Sequence, residues 1–317
     1  MKDTALHVVF GTGQVGSALV EHLDRLGVQV RAVSRHRPVR LRDGIDWRPA
    51  DASNPQEASE AAKGATVIYQ CLNASYTAWP KLFPPLQHGV LTAAERNDSL
   101  LVSFENVYGY GPTGGRRMTE DLPLAATTVM GRTRVAMTRL LMSASAEGRV
   151  RMTIGRAADL FGPGVTESAL GKQFFPTAVA GKKVDFIGDP DLLHTYSYVP
   201  DVAAGLAVLG TDDRAQGQAW HLPGPETVST REIVDIVEER LGHPVGIRVM
   251  PRVAVRALGL VNPMMRGLAE MAYEFEEPFV LDTTKFRTMF GGQMTPLNEA
   301  IATTVDAFQR SAELAKT

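Results

Sequence analysis

The chain has 317 residues, with 33 Lys plus Arg against 35 Asp plus Glu and a formal charge of −2. That balance supplies no electrostatic reason for nucleic acid or an anionic membrane as a partner, and neither is expected. Its single cysteine, Cys71, excludes an intrachain disulfide framework and fits a reducing, cytoplasmic setting.

The N-terminus runs almost directly into Ala5-Leu6-His7-Val8-Val9-Phe10, too short and wrongly flanked for a signal peptide or a membrane span. Strands are expected at 5–10, 28–33, 45–47, 66–70, 99–104 and 150–156, with helices at 14–26, 55–63, 80–97 and 131–148. Continuous apolar strands alternating with helices imply a parallel sheet covered on both faces, an α/β chain with a doubly wound sheet. Cys71 closes the run Val67-Ile68-Tyr69-Gln70 and reads as a buried strand thiol rather than a nucleophile.

Beyond residue 160 the elements shorten, and Gly162-Pro163-Gly164 breaks the chain. Thr195-Tyr196-Ser197-Tyr198-Val199 alternates and is expected to return to the main sheet, followed by an Ala-rich helix opened by Pro200-Asp201. The expected main lobe is 1–162 plus 194–216; a smaller C-terminal α/β lobe comprises 163–193 plus 217–317.

Gly11, Thr12, Gly13, Gln14, Val15 and Gly16 lie directly after the first strand and open an amphipathic helix. Glycines at this spacing permit a tight turn, let the backbone approach a pyrophosphate, and bring helix and strand together. The unpaired amides of the helix N-terminus then face the phosphates. The main lobe is therefore read as a dinucleotide-binding Rossmann domain, and the smaller one as a substrate lobe. The second strand ends in Ser34-Arg35-His36-Arg37, where an NAD enzyme places a carboxylate for the adenosine ribose. Ser34, Arg35 and Arg37 supply donors and positive charge for a 2′-phosphate instead, so NADP(H) is preferred over NAD(H). The bland alternative is that both arginines are solvated loop charges. Asp51 and Ala52 follow the third strand, where Asp51 could accept from the adenine amino group or cap the helix near Pro55. Asn73 and Ala74, after the fourth strand, are expected near the diphosphate and ribose.

Four further segments follow in order: Val107-Tyr108-Gly109; Gly155-Arg156 with Leu160-Phe161-Gly162-Pro163-Gly164; Tyr198-Val199-Pro200-Asp201-Val202-Ala203; and Asp282 through Leu297. With the glycine turn, the chain resembles an extended short-chain dehydrogenase/reductase of the NAD-dependent epimerase/dehydratase group over nearly its whole length. The resemblance implies a catalytic Ser or Thr, and a Tyr with a Lys four residues later. The matching positions here hold Phe104, Met130 and Arg134. A thioether donates no proton, and a guanidinium with a pKa above about 12 cannot shuttle one. Asn106-Val107-Tyr108-Gly109-Tyr110-Gly111-Pro112 and Gly131-Arg132-Thr133-Arg134 resemble an atypical bacterial subgroup for which the resemblance secures no activity.

Arg134 is expected to replace the lysine's bonds to the nicotinamide ribose, with Met130 an apolar wall on the same helix face. Without the resemblance, Arg134 reads as a helix-surface charge. Ser103, Glu105 and Asn106, in the turn after the fifth strand, are candidates to donate or orient a proton, with Tyr108 and Tyr110 nearby. His194 and Tyr196 could approach from the other side, although a lone histidine there also reads as a structural hydrogen bonder. No His-x-x-x-His pair or Gly-x-Ser-x-Gly elbow occurs, so no metal site is expected. The leading expectation is an NADP(H)-dependent oxidoreductase acting on a small organic substrate. Nucleotide-sugar epimerisation or dehydration, and a non-catalytic NADP-binding redox sensor, stand as alternatives. In related folds the helices at 80–97 and 131–148 pair with their symmetry mates, so a homodimer is expected.

Overall fold

A computed structural model describes residues 5–39, 41–75, 78–171, 173–251, 260 and 263–314. The apolar runs before residue 160 form six strands, β1 Leu6–Phe10, β2 Gln29–Ser34, β3 Asp46–Pro49, β4 Ala65–Gln70, β5 Leu100–Asn106 and β6 Arg151–Ala157. They alternate with helices α1 Gln14–Arg25, α2 Pro55–Ala61, α3 Trp79–Asn97 and α4 Val129–Ala146. The strands join one parallel seven-stranded sheet in the order β11-β6-β5-β4-β1-β2-β3, β11 being Ala219–His221. Chain order reverses between β1 and β4, the point where open sheets of this kind leave a crevice at the strands' carboxyl ends. β1 is buried at all five residues, as a central strand covered on both faces must be. The sheet and its helices bury a core that includes Val8, Phe10, Ile68, Leu101, Leu141 and Ile154.

After β6 the elements are β7 Asp159–Phe161, α5 Phe175–Val179, β8 Val184–Ile187, β9 Leu193–His194, β10 Tyr196–Tyr198 and α6 Val199–Thr211. β11 is followed by β12 Val228–Ser229, α7 Thr230–Leu241, β13 Ile247–Met250, α8 Pro263–Met271, α9 Thr284–Phe290 and α10 Leu297–Leu314. Three small sheets form here: β10 parallel to β7, β12 antiparallel to β9, and β13 parallel to β8. Phe161, Phe175, Tyr198, Ile233, Ile301 and Phe308 share a second core. α7 is opened by a capping box, in which Ser229 accepts from the Glu232 amide and Glu232 accepts from the Ser229 amide.

The chain divides into one unit of 1–109, 124–156 and 202–222, and another of 110–123, 157–201 and 223–317. These limits differ from the expected ones at 110–123, 157–162, 194–201 and 217–222. The strand expected at 195–199 does not return to the main sheet. Its residues Tyr196–Tyr198 pair with β7, and the sheet is extended beyond β6 by β11. Alternation marks a half-buried strand but not its partner, and a three-residue strand carries little register information. Among the described residues, no helix is long and apolar enough to cross a membrane.

Candidate functional site

The glycine turn is tight on one side and open on the other. Gly11 has φ +93°, and a Cβ there would stand 2.7 Å from the Cys71 carbonyl oxygen. A Cβ on Gly16 would stand 1.8 Å from the Gly11 oxygen, so α1 closes on the turn only because residue 16 is glycine. Gly13 differs: a Cβ there would meet nothing within 4 Å. It is the N-cap of α1 and offers no side-chain bond to the first-turn amides. Thr12 and Gln14 are half-buried and Val15 is buried, while Ser17 Oγ donates to the Thr12 carbonyl at 2.9 Å. Uncapped amides beside an open glycine make a receptor for an anionic oxygen.

At the carboxyl end of β2, Ser34 Oγ donates to the His36 carbonyl at 2.8 Å and accepts from Trp47 Nε1 at 3.1 Å. Its one proton is therefore committed within the loop, contrary to the role expected of it as a phosphate donor. Arg35 is exposed. Arg37 reaches Asp43 at 3.8 Å, both side chains being exposed. Asp51 accepts from the Ser53 hydroxyl at 2.7 Å and its amide at 2.9 Å. The Ser53 bonds hold the Asp51 carboxyl below its ordinary value, with Arg35 a smaller contributor. Asp51 does not cap α2; Asn54 does, accepting from the Gln56 and Glu57 amides. Ala52 is buried, and its carbonyl lies 1.9 Å from where a Cβ on Gly89 would stand, so it serves as the seat of α3. Asn73 is exposed and accepts from the Ala74 amide at 3.1 Å.

The end of β5 faces the start of α4. Thr128 caps α4 by accepting from the Gly131 amide at 3.1 Å. A Cβ on Gly131 would lie 2.4 Å from Ala126 Cβ and 2.7 Å from the Tyr108 carbonyl. The first turn is thus pressed onto the Val107-Tyr108-Gly109 loop. Met130 and Arg134, one turn apart, are both buried at 5% exposure. Arg134 is therefore no helix-surface charge. Its Nε donates to Asn106 Oδ1 at 3.3 Å, and its guanidinium carbon lies 5.3 Å and 4.9 Å from the ring centres of Trp79 and Phe83. Burial lowers the Arg134 guanidinium from its ordinary value; Glu105 opposes that shift and Arg156 adds to it.

Ser103 and Glu105 do not lie in a turn, as expected, because β5 continues to Asn106. Both are fully buried. Glu105 accepts from Thr138 Oγ1 at 2.9 and 2.8 Å and from Arg156 Nε at 3.3 Å, which satisfies a carboxylate that would otherwise be too costly to bury. Ser103 Oγ is buried without a hydrogen-bond partner. Only Asn106 stands at the strand's end, half-buried. Sequence reading gave no part to Trp79, Phe83, Thr138 or Arg156; only Arg156 carried a signal, in the Gly-Arg match.

In the other unit, His194 is buried, with Nε2 at 2.8 Å from Asp159 Oδ2 and Nδ1 donating to the Glu274 carbonyl at 3.1 Å. Its ring stacks on Phe275, and Tyr196 Oη bonds Thr230 Oγ1 at 2.7 Å. Both side chains are engaged within this unit. Glu274 Oε1 is buried without a partner, and burial, then the Asp159 charge, pushes its carboxyl well above the ordinary range. Among the described residues, no group of three or more His, Cys, Asp or Glu side chains could hold a metal ion.

A parallel seven-stranded sheet with a glycine turn at its switch point defines a Rossmann-type protein of the extended short-chain dehydrogenase/reductase fold. Residues 8–222 match the NAD dependent epimerase/dehydratase family, and the chain belongs to that family. An uncharacterized protein of Sinorhizobium fredii is 23% identical over 238 residues, covering 68% of this chain. A 3beta-hydroxysteroid-dehydrogenase/decarboxylase isoform 2 of Arabidopsis thaliana is 23% identical over 307 residues, covering 84% of it. The chain spans 65% and 53% of the length of these two relatives. The crystal structure of dTDP-glucose 4,6-dehydratase from Bacillus anthracis in complex with NAD is similar with a TM-score of 0.79 at 14% identity, covering 98% of each chain.

Proposed function

We propose that this protein is an NADP(H)-dependent oxidoreductase acting on a small organic substrate. Gly13 carries the reading: it leaves open space over the uncapped amides that begin α1. Those amides would hold a dinucleotide's diphosphate, and Arg35 with Arg37 would meet an adenosine 2′-phosphate. When bound, the nicotinamide supplies hydride transfer. The chain's own residues bind and orient. Met130 offers an apolar wall and no proton, and Arg134 supplies fixed positive charge. Substrates needing little enzymic acid, such as an activated alkene, an iminium or an electron-poor carbonyl, suit such a site. The similar dehydratase is in complex with NAD, which favours NAD, so the reading of NADP(H) rests on Arg35 and Arg37 alone.

A second reading is nucleotide-sugar epimerisation or dehydration, favoured by family membership and by the likeness to a dTDP-glucose 4,6-dehydratase. Oxidising a hydroxyl needs a base, and neither Met130 nor Arg134 serves as one. Thermal-shift titration with NADPH, NADP, NADH and NAD tests the cofactor, and stereospecifically deuterated NADPH tests hydride transfer. Gly13→Val should fold normally, because its Cβ meets nothing, and should lose dinucleotide binding. Undiminished NADPH binding in that variant overturns the reading. Tight binding of a nucleoside diphosphate raises the second. NADPH binding without hydride transfer to any acceptor leaves a redox sensor. Homodimerisation through α3 and α4, which expose Leu82, Leu140 and Met142, belongs to the same proposal; a one-chain mass by light scattering removes it.

A further inference from the structure

Residues 274–282 form a strap that ties distant stretches of one unit together. At its start the Glu274 carbonyl accepts from His194 Nδ1 at 3.1 Å, and the Phe275 carbonyl accepts from the Asp189 amide at 2.8 Å. The second bond needs a glycine beside it, because a Cβ on Gly188 would stand 2.3 Å from the Phe275 oxygen. Further on, Glu277 Oε1 accepts from the Thr113 and Gly114 amides at 2.8 and 3.1 Å. The Phe279 amide donates to the Leu193 carbonyl at 2.8 Å, and its carbonyl accepts from the Thr195 amide at 2.9 Å. The Met118 amide donates to the Val280 carbonyl at 2.8 Å, and its carbonyl accepts from the Asp282 amide at 2.9 Å. Met118 with Leu281 and His194 with Phe279 are single bridges, not parts of a long ladder.

One side chain of the strap is poorly served by its place. Glu274, in the 3-10 turn Ala272–Phe275, is 2% exposed, and its Oε1 is buried without a partner. Such an atom is costly, and an apolar side chain would fill the same place without that cost. The titratable groups packed about the turn are Asp159 on β7, His194 on β9, Tyr196 on β10, which stacks on His194, and Tyr273 in the turn itself. Burial, then the Asp159 charge, pushes the Glu274 carboxyl well above its ordinary value. His194 brings no relief, since its Nδ1 is taken by the Glu274 carbonyl and its Nε2 by Asp159 at 2.8 Å.

We propose that the strap is a pH-operated latch, closed while Glu274 is neutral and released from Met118 and from Leu193–Thr195 when Glu274 ionises. Ionisation in place would set an unpaired buried charge beside that of Asp159, which opening to water relieves. Single bridges let the strap open while the rest of the chain stays folded. In the open strap the carboxyl titrates as an ordinary one, so opening releases its proton and a higher pH drives opening. The latch is therefore at its tightest below the ordinary value of 4.5; above it, opening grows by up to about tenfold per pH unit until the folded value is passed. The latch lies within one unit and does not rest on the dinucleotide-enzyme reading.

The test is hydrogen exchange of the folded full chain, in the regime where reclosing outpaces exchange, with each rate divided by the intrinsic rate at the same pH. The amides of Met118, Thr195, Phe279 and Asp282 should lose protection by up to about tenfold per pH unit above 4.5. They should exchange faster than the amides of β1 and respond little to added urea, because a local opening exposes little surface. In Glu274→Gln, which cannot ionise, the same four amides should hold one level of protection across that range. Glu274→Leu, equally unable to ionise, carries the test if Glu274→Gln does not fold. Protection that is flat with pH in the unaltered protein overturns the proposal. A slope that survives in the Glu274 variant also overturns it and assigns the titration to Asp159 and His194. So does exchange that matches β1 in rate and urea dependence, which is unfolding of the whole chain.

Discussion

The Tyr108 carbonyl oxygen lies 2.7 Å from the point where a Cβ on Gly131 would stand. This approach lets the first turn of α4 lie against the end of β5, and it brings Arg134 within reach of Asn106. Gly131→Ala, with its Cβ also 2.4 Å from Ala126 Cβ, should cost about 1–3 kcal/mol through overpacking. A urea midpoint equal to that of the unaltered protein would show the contact to be slack.

Glu105 binds Arg156 and Thr138 in full burial. Glu105→Ala removes the buried carboxylate that Arg156 and Thr138 bind and should cost about 3–5 kcal/mol, as breaking one side of a buried pair does. Adding Arg134→Met should recover part of that loss, because the like charges of Arg134 and Arg156 are then no longer both present. Strictly additive unfolding free energies in the double variant would separate Arg134 from the pair.

Arg35 is exposed at the end of β2, and its charge already acts on Asp51. Since the Ser34 hydroxyl donates to the His36 carbonyl, the proposed 2′-phosphate preference rests on the arginines. Arg35→Asp should weaken NADPH binding by about 1–3 kcal/mol, the size of lost charge-assisted bonds, and leave NADH binding nearly unchanged. Unaltered NADPH affinity would end the case for a 2′-phosphate site.

Glu274 gives a pH dependence whose sign follows from burial. Its folded carboxyl titrates well above the ordinary 4.5, so the folded chain keeps a proton that the unfolded chain releases as pH passes that value. The stability tied to the neutral carboxyl is complete below that range and drains away as pH rises towards the folded value. Glu274→Gln should therefore raise Tm over the unaltered protein by an amount that grows as pH rises above the ordinary carboxyl value of 4.5. A Tm difference flat across that range would mean that Glu274 titrates alike folded and unfolded.

The early elements were legible in the sequence because their causes are local. Apolar runs with strand or helix period became β1 to β6 and α1 to α4, and the glycines at 11 and 16 stand where close backbone approach admits no side chain. Local pattern did not reach the partner of Tyr196–Tyr198, which pairs with Asp159–Phe161 and not with the main sheet. Nor did it show that Glu105, inside a strand, is answered by Arg156, 51 residues further on. The Met130 and Arg134 pair was visible as a spacing, but a spacing says only that two side chains share a helix face. That Arg134 turns inward, against the rings of Trp79 and Phe83 and onto Asn106, depends on which surfaces α3, α4 and β5 bring together. Burial and charge balance are properties of that meeting, and no single segment contains them.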